Sequence, residues 1–352
     1  MLAPAVHLLR AEGYDVQVAC FGHAMHRFTR HGIAFTEIPP IGPHECKVLQ
    51  QFAPHFVVTS SASLPTHDMS EKHLWHIARE MGIETLAFND QWQNYALRFS
   101  GPTPGERLCY LPDFINCIDE IGRSEMLGEG FPEDRLLAFG HPHLAGVKVA
   151  YANLDRAGVL ATLGLAPGDW TERTTLVFVS EPIREHFGST RGYDQYTVLG
   201  HFLENVQRSR PDTGVVIKLH PKDDRSNFNE IACRYHGLRV HFAQNEITSL
   251  QCLTLSSRIF GMTSVMLIEA FLLGKHVVSL QPGLVVEDPL VLSRHNAISR
   301  IDSPSPFDPF TYGCGCDSLF SVDFNGTAFL RFLASRLDGQ ATVPQPKGMV
   351  HL

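Results

Sequence analysis

The stretch "IFGMTSVMLIEAFLLGKHVVSL", residues 259–280, passes from an apolar run through Gly-Met-Thr-Ser into an apolar helical pattern, then through Gly-Lys into a second apolar run. Read as strand, turn, helix and strand, it is one βαβ unit, and such units build parallel sheets. Two hydroxyl residues, Thr263 and Ser264, fall where the helix should begin, and one carboxylate, Glu269, lies inside it. A helix start presents unpaired backbone N–H groups and the positive end of the helix dipole, so the hydroxyl pair suits a phosphate. It equally suits plain capping of the helix. Glu269 sits among Met266, Leu267, Ile268, Phe271 and Leu272. A carboxylate there is costly unless it is paired or binds a ligand; otherwise it must face solvent at the helix edge.

The same alternation extends in both directions. Toward the N-terminus of this half, "TTLVFVS", "TGVVIKLH", "LRVHF" and "SRIFG" read as strands separated by helical runs. In the first half, "YDVQVAC", "IAFTEI", "HFVVTS", "IETLAFN", "FINCID" and "RLLAFG" read as strands, with "MSEKHLWHIAREMG" and "DQWQNYALRF" as helices. The fold class is therefore α/β, with two Rossmann-like domains and a cleft between them. Residues 1–145 form the first domain, 146–340 the second and 341–352 a tail, with 281–325 an irregular, Pro/Ser/Asp/Gly-rich excursion. The chain opens on a helical pattern, "LAPAVHLLRAEG", where a doubly wound domain normally opens on a strand and a glycine-rich loop. The first strand of the N-terminal domain is thus expected to be missing, as in a truncated sequence.

Composition narrows the function. A length of 352 residues, 44% hydrophobic and 19% charged, is that of a globular chain with room for two cores. A formal charge of −8, from 29 basic and 37 acidic residues, leaves no basic excess to hold nucleic acid. Eight scattered cysteines in a chain this long read as reduced cytosolic thiols. Cys314 and Cys316 form C-x-C in a Gly-rich loop, without the two further ligands a metal site needs. No apolar run approaches the roughly 20 residues of a membrane span, and the N-terminus lacks a signal peptide's basic start. A cytoplasmic location is the default expectation, with contact at a membrane surface still open.

Three further stretches carry chemistry. In "VVIKLHPKDDRSNF", His220 and Pro221 follow a strand, at the end where ligands bind in open α/β sheets. Proline fixes the turn and so holds the imidazole, and Lys218 and Lys222 flank it, a set that suits a diphosphate or a simple polar turn. In "FVSEPIREHFGSTRGYDQY", a long polar loop offers Arg184 and Arg191 to a phosphate and Glu181 to a sugar or ribose hydroxyl, or else forms surface ion pairs. In the first half, "AFNDQWQNYALRF" places Asn89 and Asp90 after a strand. Asp90 is either the cap of a helix beginning at Gln91 or a general base. "CFGHAMHRF" places His23 at another strand end, as a second catalytic candidate or a structural histidine.

With "KLHPKDD" and "GMTSVMLIEAFLLGKHVVSLQPG" in two Rossmann-like halves, the chain resembles the GT-B glycosyltransferase superfamily, which includes nucleotide-sugar 2-epimerases. The His-Pro pair followed by a hydroxyl pair is similar to the pattern in bacterial sialyltransferases, polysialyltransferases and glycerophosphotransferases of wall polymers. The resemblance spans about Thr174 to Gly283. It implies that His220, Thr263 and Ser264 bind the donor phosphate and that Glu269 holds the donor's ribose or sugar. It further implies a nucleotide-sugar donor, a glycan or small-molecule acceptor, and a role in surface polysaccharide synthesis. Lys222 would join the phosphate set, and Glu181 and Arg184 the donor site; Asp90 would be the base. No D-x-D motif is present, so no metal and no cofactor beyond the co-substrate is expected. A 2-epimerase or hydrolase on the same fold, and a non-catalytic binder, are the alternatives.

Overall fold

The computed structural model of the chain describes residues 1–61, 64–311, 322–337 and 348–351, with the backbone alone for His23 and for 348–351. Cys314 and Cys316 lie outside the described residues. The strands are β1 (Asp15–Cys20), β2 (Thr36–Glu37), β3 (Phe56–Ser60), β4 (Glu84–Phe88), β5 (Phe114–Asn116), β6 (Leu136–Leu137), β7 (Thr175–Val179), β8 (Gly214–Lys218), β9 (Arg239–Ala243), β10 (Arg258–Gly261), β11 (His276–Leu280), β12 (Ser299–Ile301) and β13 (Gly348–His351). They form one sheet in each of two compact units, Met1–Ala145 with Leu319–Leu352, and Gly146–Ser318.

The second unit has a six-stranded parallel sheet in the order β12-β11-β10-β7-β8-β9. Its inner strands, Leu-Val-Phe-Val and Val-Val-Ile, are buried along their whole length. That is why they are continuous apolar runs: both faces are covered by helices. Phe178 stacks on Phe202 of the helix Gln195–Ser209, and Phe202 packs in turn on Phe260 of β10. The chain runs outward from β7 to β9, then returns to β10 on the other side of β7 and runs outward to β12. The reversal between β7 and β10 is the topological switch point, where open α/β sheets bind ligands beyond their carboxyl ends.

The first unit has a seven-stranded sheet in the order β2-β1-β13-β3-β4-β5-β6, parallel throughout. Two expectations are corrected here. The position beside β1 that the sequence leaves without a strand is occupied by β13, so residues 348–351, read by sequence as part of a tail, form a strand. The helix Gly326–Leu337, assigned by sequence to the second domain, packs in the first. Phe329 meets Phe88 edge-on at 5.5 Å and lies 5.7 Å from Phe139, while Leu333 joins the same core. An amphipathic helix goes to whichever core its apolar stripe fits, and sequence proximity does not decide that. The excursion 281–325 is also more regular than expected, holding a short helix, Val291–Arg294, and β12.

Among the described residues, no helix is long and apolar enough to cross a membrane.

Candidate functional site

Strand register builds the site in the second unit. Gly261 of β10 is level with Val179 of β7 and Ser279 of β11, and Val179 is level with Lys218 of β8. Two residues beyond that common level come Thr263, Glu181, Gln281 and His220, on four neighbouring strand ends. The switch point therefore lies between Thr263 and Glu181. Gly261 permits the tight approach here, since a Cβ on it would lie 3.0 Å from the Val179 carbonyl oxygen.

Thr263 and Glu181 are in direct contact. The Thr263 N–H donates to Glu181 Oε2 at 2.6 Å, and the Thr263 hydroxyl lies 3.1 Å from both carboxylate oxygens. Arg191 Nη1 donates to the same Oγ1 at 3.0 Å. The hydroxyl thus links a cation and an anion, and both Thr263 (3% exposed) and Arg191 (5%) are buried. Burial pushes the Glu181 carboxyl above its ordinary range, against the pull of the Thr263 N–H and of Arg191. The Arg191 guanidinium lies over the Phe187 ring at 3.8 Å. Its loop is fixed by Gly192, whose φ of +85° and close approach to the Gly283 carbonyl exclude a side chain. The Val285 N–H donates to the Arg191 carbonyl, which ties this loop to the one after β11. There Tyr193 O–H donates to Gln281 Oε1 at 3.2 Å, and Gln281 Nε2 donates to Asp288 Oδ1 at 2.7 Å.

His220 turns in a tight loop of its own. Its N–H donates to Asp223 Oδ2 at 2.8 Å, and its Nδ1 accepts from the Lys222 N–H at 3.2 Å. That bond assigns the proton of the neutral ring to Nε2. Burial pushes the Asp223 carboxyl up, while the Ser180 hydroxyl and the His220 N–H pull it down. Gln244 Nε2 clamps the loop through the carbonyls of His220 and Asp223, each at 3.0 Å. Lys222 is exposed beside it.

Ser264 caps the helix Val265–Leu272, its Oγ accepting from the Met266 N–H at 3.3 Å. Glu269 is 4% exposed, so it does not face solvent. Arg184 forms the ion pair that was its second alternative: its guanidinium pairs with Asp194, the cap of helix Gln195–Ser209, with Nε at 2.9 Å, and lies over Tyr196 at 4.6 Å. The structure therefore gathers Glu181, Thr263 and Arg191 in contact and sets His220 on the adjoining strand end.

In the first unit, Asp90 lies 2.5 Å from Arg98 Nη1. Arg98 is buried and also donates to the carbonyls of Gln93 and Ser61. No helix starts at Gln91; the helix there is Tyr95–Arg98, with Asn94 at its N-cap position, so Asp90 is not its cap. His23 is the first residue of the helix His23–Arg30, and its side chain lies outside the described residues. Sequence reasoning missed His141, which is 2% exposed. Its Nε2 faces the Asp90 carbonyl at 3.1 Å and its Nδ1 accepts from the Leu144 N–H at 3.1 Å. Burial, then His143, pushes this imidazole down to about 4. The signal was available: Gly-His-Pro after β6 repeats the arrangement of Leu-His-Pro after β8. Arg98 and Asp223 were passed over as well, and no local pattern marks them.

No protein-family model matches the chain, and no curated protein matches it. Solved structures do. A UDP-GlcNAc 2-epimerase from Neisseria meningitidis bound to UDP-GlcNAc is similar with a TM-score of 0.63 at 14% identity, over 95% of this chain and 96% of that one. The UDP-GlcNAc 2-epimerase of Methanocaldococcus jannaschii in complex with UDP-GlcNAc and UDP gives 0.63 at 12% identity, over 95% and 96%. A glycosyltransferase from Rickettsia africae gives 0.54 at 11%, over 95% and 84%. The shared property is the fold, an α/β architecture of the two-domain GT-B type.

Proposed function

We propose that the second unit binds a nucleotide-activated sugar and that the chain transfers that sugar to an acceptor hydroxyl, in the synthesis of a surface polysaccharide or other glycan. What supports this is the convergence at the switch point: a backbone amide, two hydroxyls, a buried arginine and an imidazole on neighbouring strand ends. Such donors suit a diphosphate. Thr263, Ser264, Arg191, His220 and Lys222 would hold it, and Glu269 the ribose or sugar. As the glycosidic bond breaks, charge builds on the leaving phosphate, and donors already in place stabilise it without reorganising. This chemistry needs no metal in our reading. Asp90 would deprotonate the acceptor through Oδ2, the oxygen that Arg98 does not hold. We assign the reaction to the cytoplasm, where a membrane-bound acceptor would be met at the surface.

UDP-GlcNAc is the first donor to try, because epimerases of the same fold hold it. The same fold likeness keeps a 2-epimerase or hydrolase as the second reading. Product analysis separates them: an epimer or free sugar forms without any acceptor. Binding without turnover would identify a non-catalytic binder.

The test is a thermal-shift screen of the wild type and His220→Ala against UDP, GDP, CDP, CMP, dTDP and their sugars. A ligand at ~100 times its Kd adds about 2.7 kcal/mol to stability. Stabilisation of the wild type that the variant loses supports the donor site, and the base that works identifies the donor class. If no nucleotide stabilises either protein, the donor-site assignment is wrong and Ser264 is a cap and nothing more.

A further inference from the structure

The Thr263 amide already carries an anion. Its N–H is held by the Glu181 carboxylate, and so is its hydroxyl, from a residue 82 positions away. This is not helix capping, since Ser264 performs that for Val265–Leu272. Glu181 is delivered instead by sheet register, from the neighbouring strand at the same level as Thr263. A phosphate arriving at this amide meets a carboxylate that is already bound to it. One N–H cannot serve both, and two anions a few ångströms apart in a partly buried site repel strongly.

We propose that Glu181 is a specificity-determining internal anion, which occupies the Thr263 amide in the free protein and must give it up before the phosphate of a nucleotide-sugar can bind. The proposal rests on the donor-site assignment above. It reverses the role that the loop "FVSEP" suggests by sequence, in which Glu181 receives a sugar hydroxyl. Arg191, on the far side of the Thr263 hydroxyl, is the counter-charge that would pass from the carboxylate to the phosphate. The other titratable groups facing this point are Asp223, Tyr193 and His220, with Glu185 beyond Asp223.

The experiment measures the Kd of the nucleotide-sugar that stabilises the wild type, UDP-GlcNAc first, for wild type, Glu181→Gln and Glu181→Asp across a pH series. A nucleotide-sugar is the right probe because both phosphates are esterified and lack the monoester titration near pH ~6. Glu181→Gln keeps the shape and an acceptor for Thr263 but removes the charge. It should bind about tenfold tighter than wild type at neutral pH. The advantage should shrink as pH falls, because protonated Glu181 approaches Gln. His220, Asp223 and Tyr193 are common to both proteins, so the ratio of the two affinities isolates Glu181. Glu181→Asp keeps the charge and should show no gain; a merely structural role would weaken binding in both variants.

Equal or weaker binding by Glu181→Gln overturns the proposal while leaving the donor site intact, and weaker binding makes Glu181 a contact to a ligand hydroxyl. If wild type and variant both bind no nucleotide-sugar, the donor site falls and this proposal with it. Should Glu181→Gln fail to fold, Glu181→Ser deletes the charge as well and carries the same expected sign.

Discussion

Each unit carries a His-Pro pair after a sheet strand, His141-Pro142 beyond β6 and His220-Pro221 beyond β8. The two histidines have separate fates. His141 is sealed in, with both ring nitrogens engaged by backbone groups, one of them the Asp90 carbonyl. His220 sits in a loop clamped by Gln244 and Asp223, next to an exposed lysine and one strand from the switch point. The same dipeptide fixes a turn in both places, because proline limits the backbone in the same way. What differs is the edge of the sheet: β6 is an outer strand, and β8 adjoins the strand where the chain reverses. A motif acquires chemistry from its position in the topology.

The largest expected effect separates the units by stability. Phe329→Ala removes a fully buried ring from the first core and should cost about 4 kcal/mol there. In chemical denaturation it should shift the first unit's transition and leave that of the second, whose core lacks this residue, in place. A matching shift in both would mean the units do not unfold independently.

Next comes acid. The His141 imidazole is pushed down to about 4 from an ordinary 6.5. Between those values the unfolded chain binds a proton that the folded one refuses, so stability falls as pH drops through that window. The total is about 3 kcal/mol, present in full above 6.5. Denaturation midpoints measured from neutral to acid pH should show this loss in the first unit, and His141→Gln should flatten it. An unchanged slope in the variant would mean that the acid sensitivity of the first unit comes from other groups than His141.

The smallest effect lies in the second unit. Ser264→Ala deletes a cap and should cost about 1 kcal/mol, read as a modest shift of the second transition. Nucleotide affinity should fall as well if Ser264 also reaches a phosphate, which divides capping from binding at the residue where the sequence left both open.

The second unit was largely legible in the sequence, because buried parallel strands are written as apolar runs and the hydroxyl pair marks a helix start. β7, β8, β10 and β11 fall within the runs that predicted them, and β9 overruns its run by one residue, Ala243. β12 was lost in the excursion because three residues carry too little pattern. The positions of Thr263, Ser264 and His220 at strand ends were readable for the same reason that the strands were. Their partners were not. Glu181 meets Thr263 only because β7 and β10 are neighbours, and strand order is a tertiary choice that no local run records. Arg184 follows the ion-pair alternative, with Asp194, the cap of the helix Gln195–Ser209, as its counter-ion. Arg98 was overlooked because an arginine in a short amphipathic helix looks like surface until Asp90 is seen against it.

The return of the helix Gly326–Leu337 to the first unit has a consequence for how the chain is made. Phe88 and Phe139 leave the ribosome early, while the helix bearing Phe329, which covers them, comes after the whole of the second unit. At roughly 5–20 residues per second the wait is on the order of tens of seconds. The second unit, whose residues are contiguous, can complete its sheet during that time. The first must hold an uncovered aromatic surface as a nascent chain, which makes it the natural client for a chaperone and the first target of a protease. Assembly of the first unit thus waits on synthesis of the second, and a helix that emerges after the second unit covers the core that was begun first.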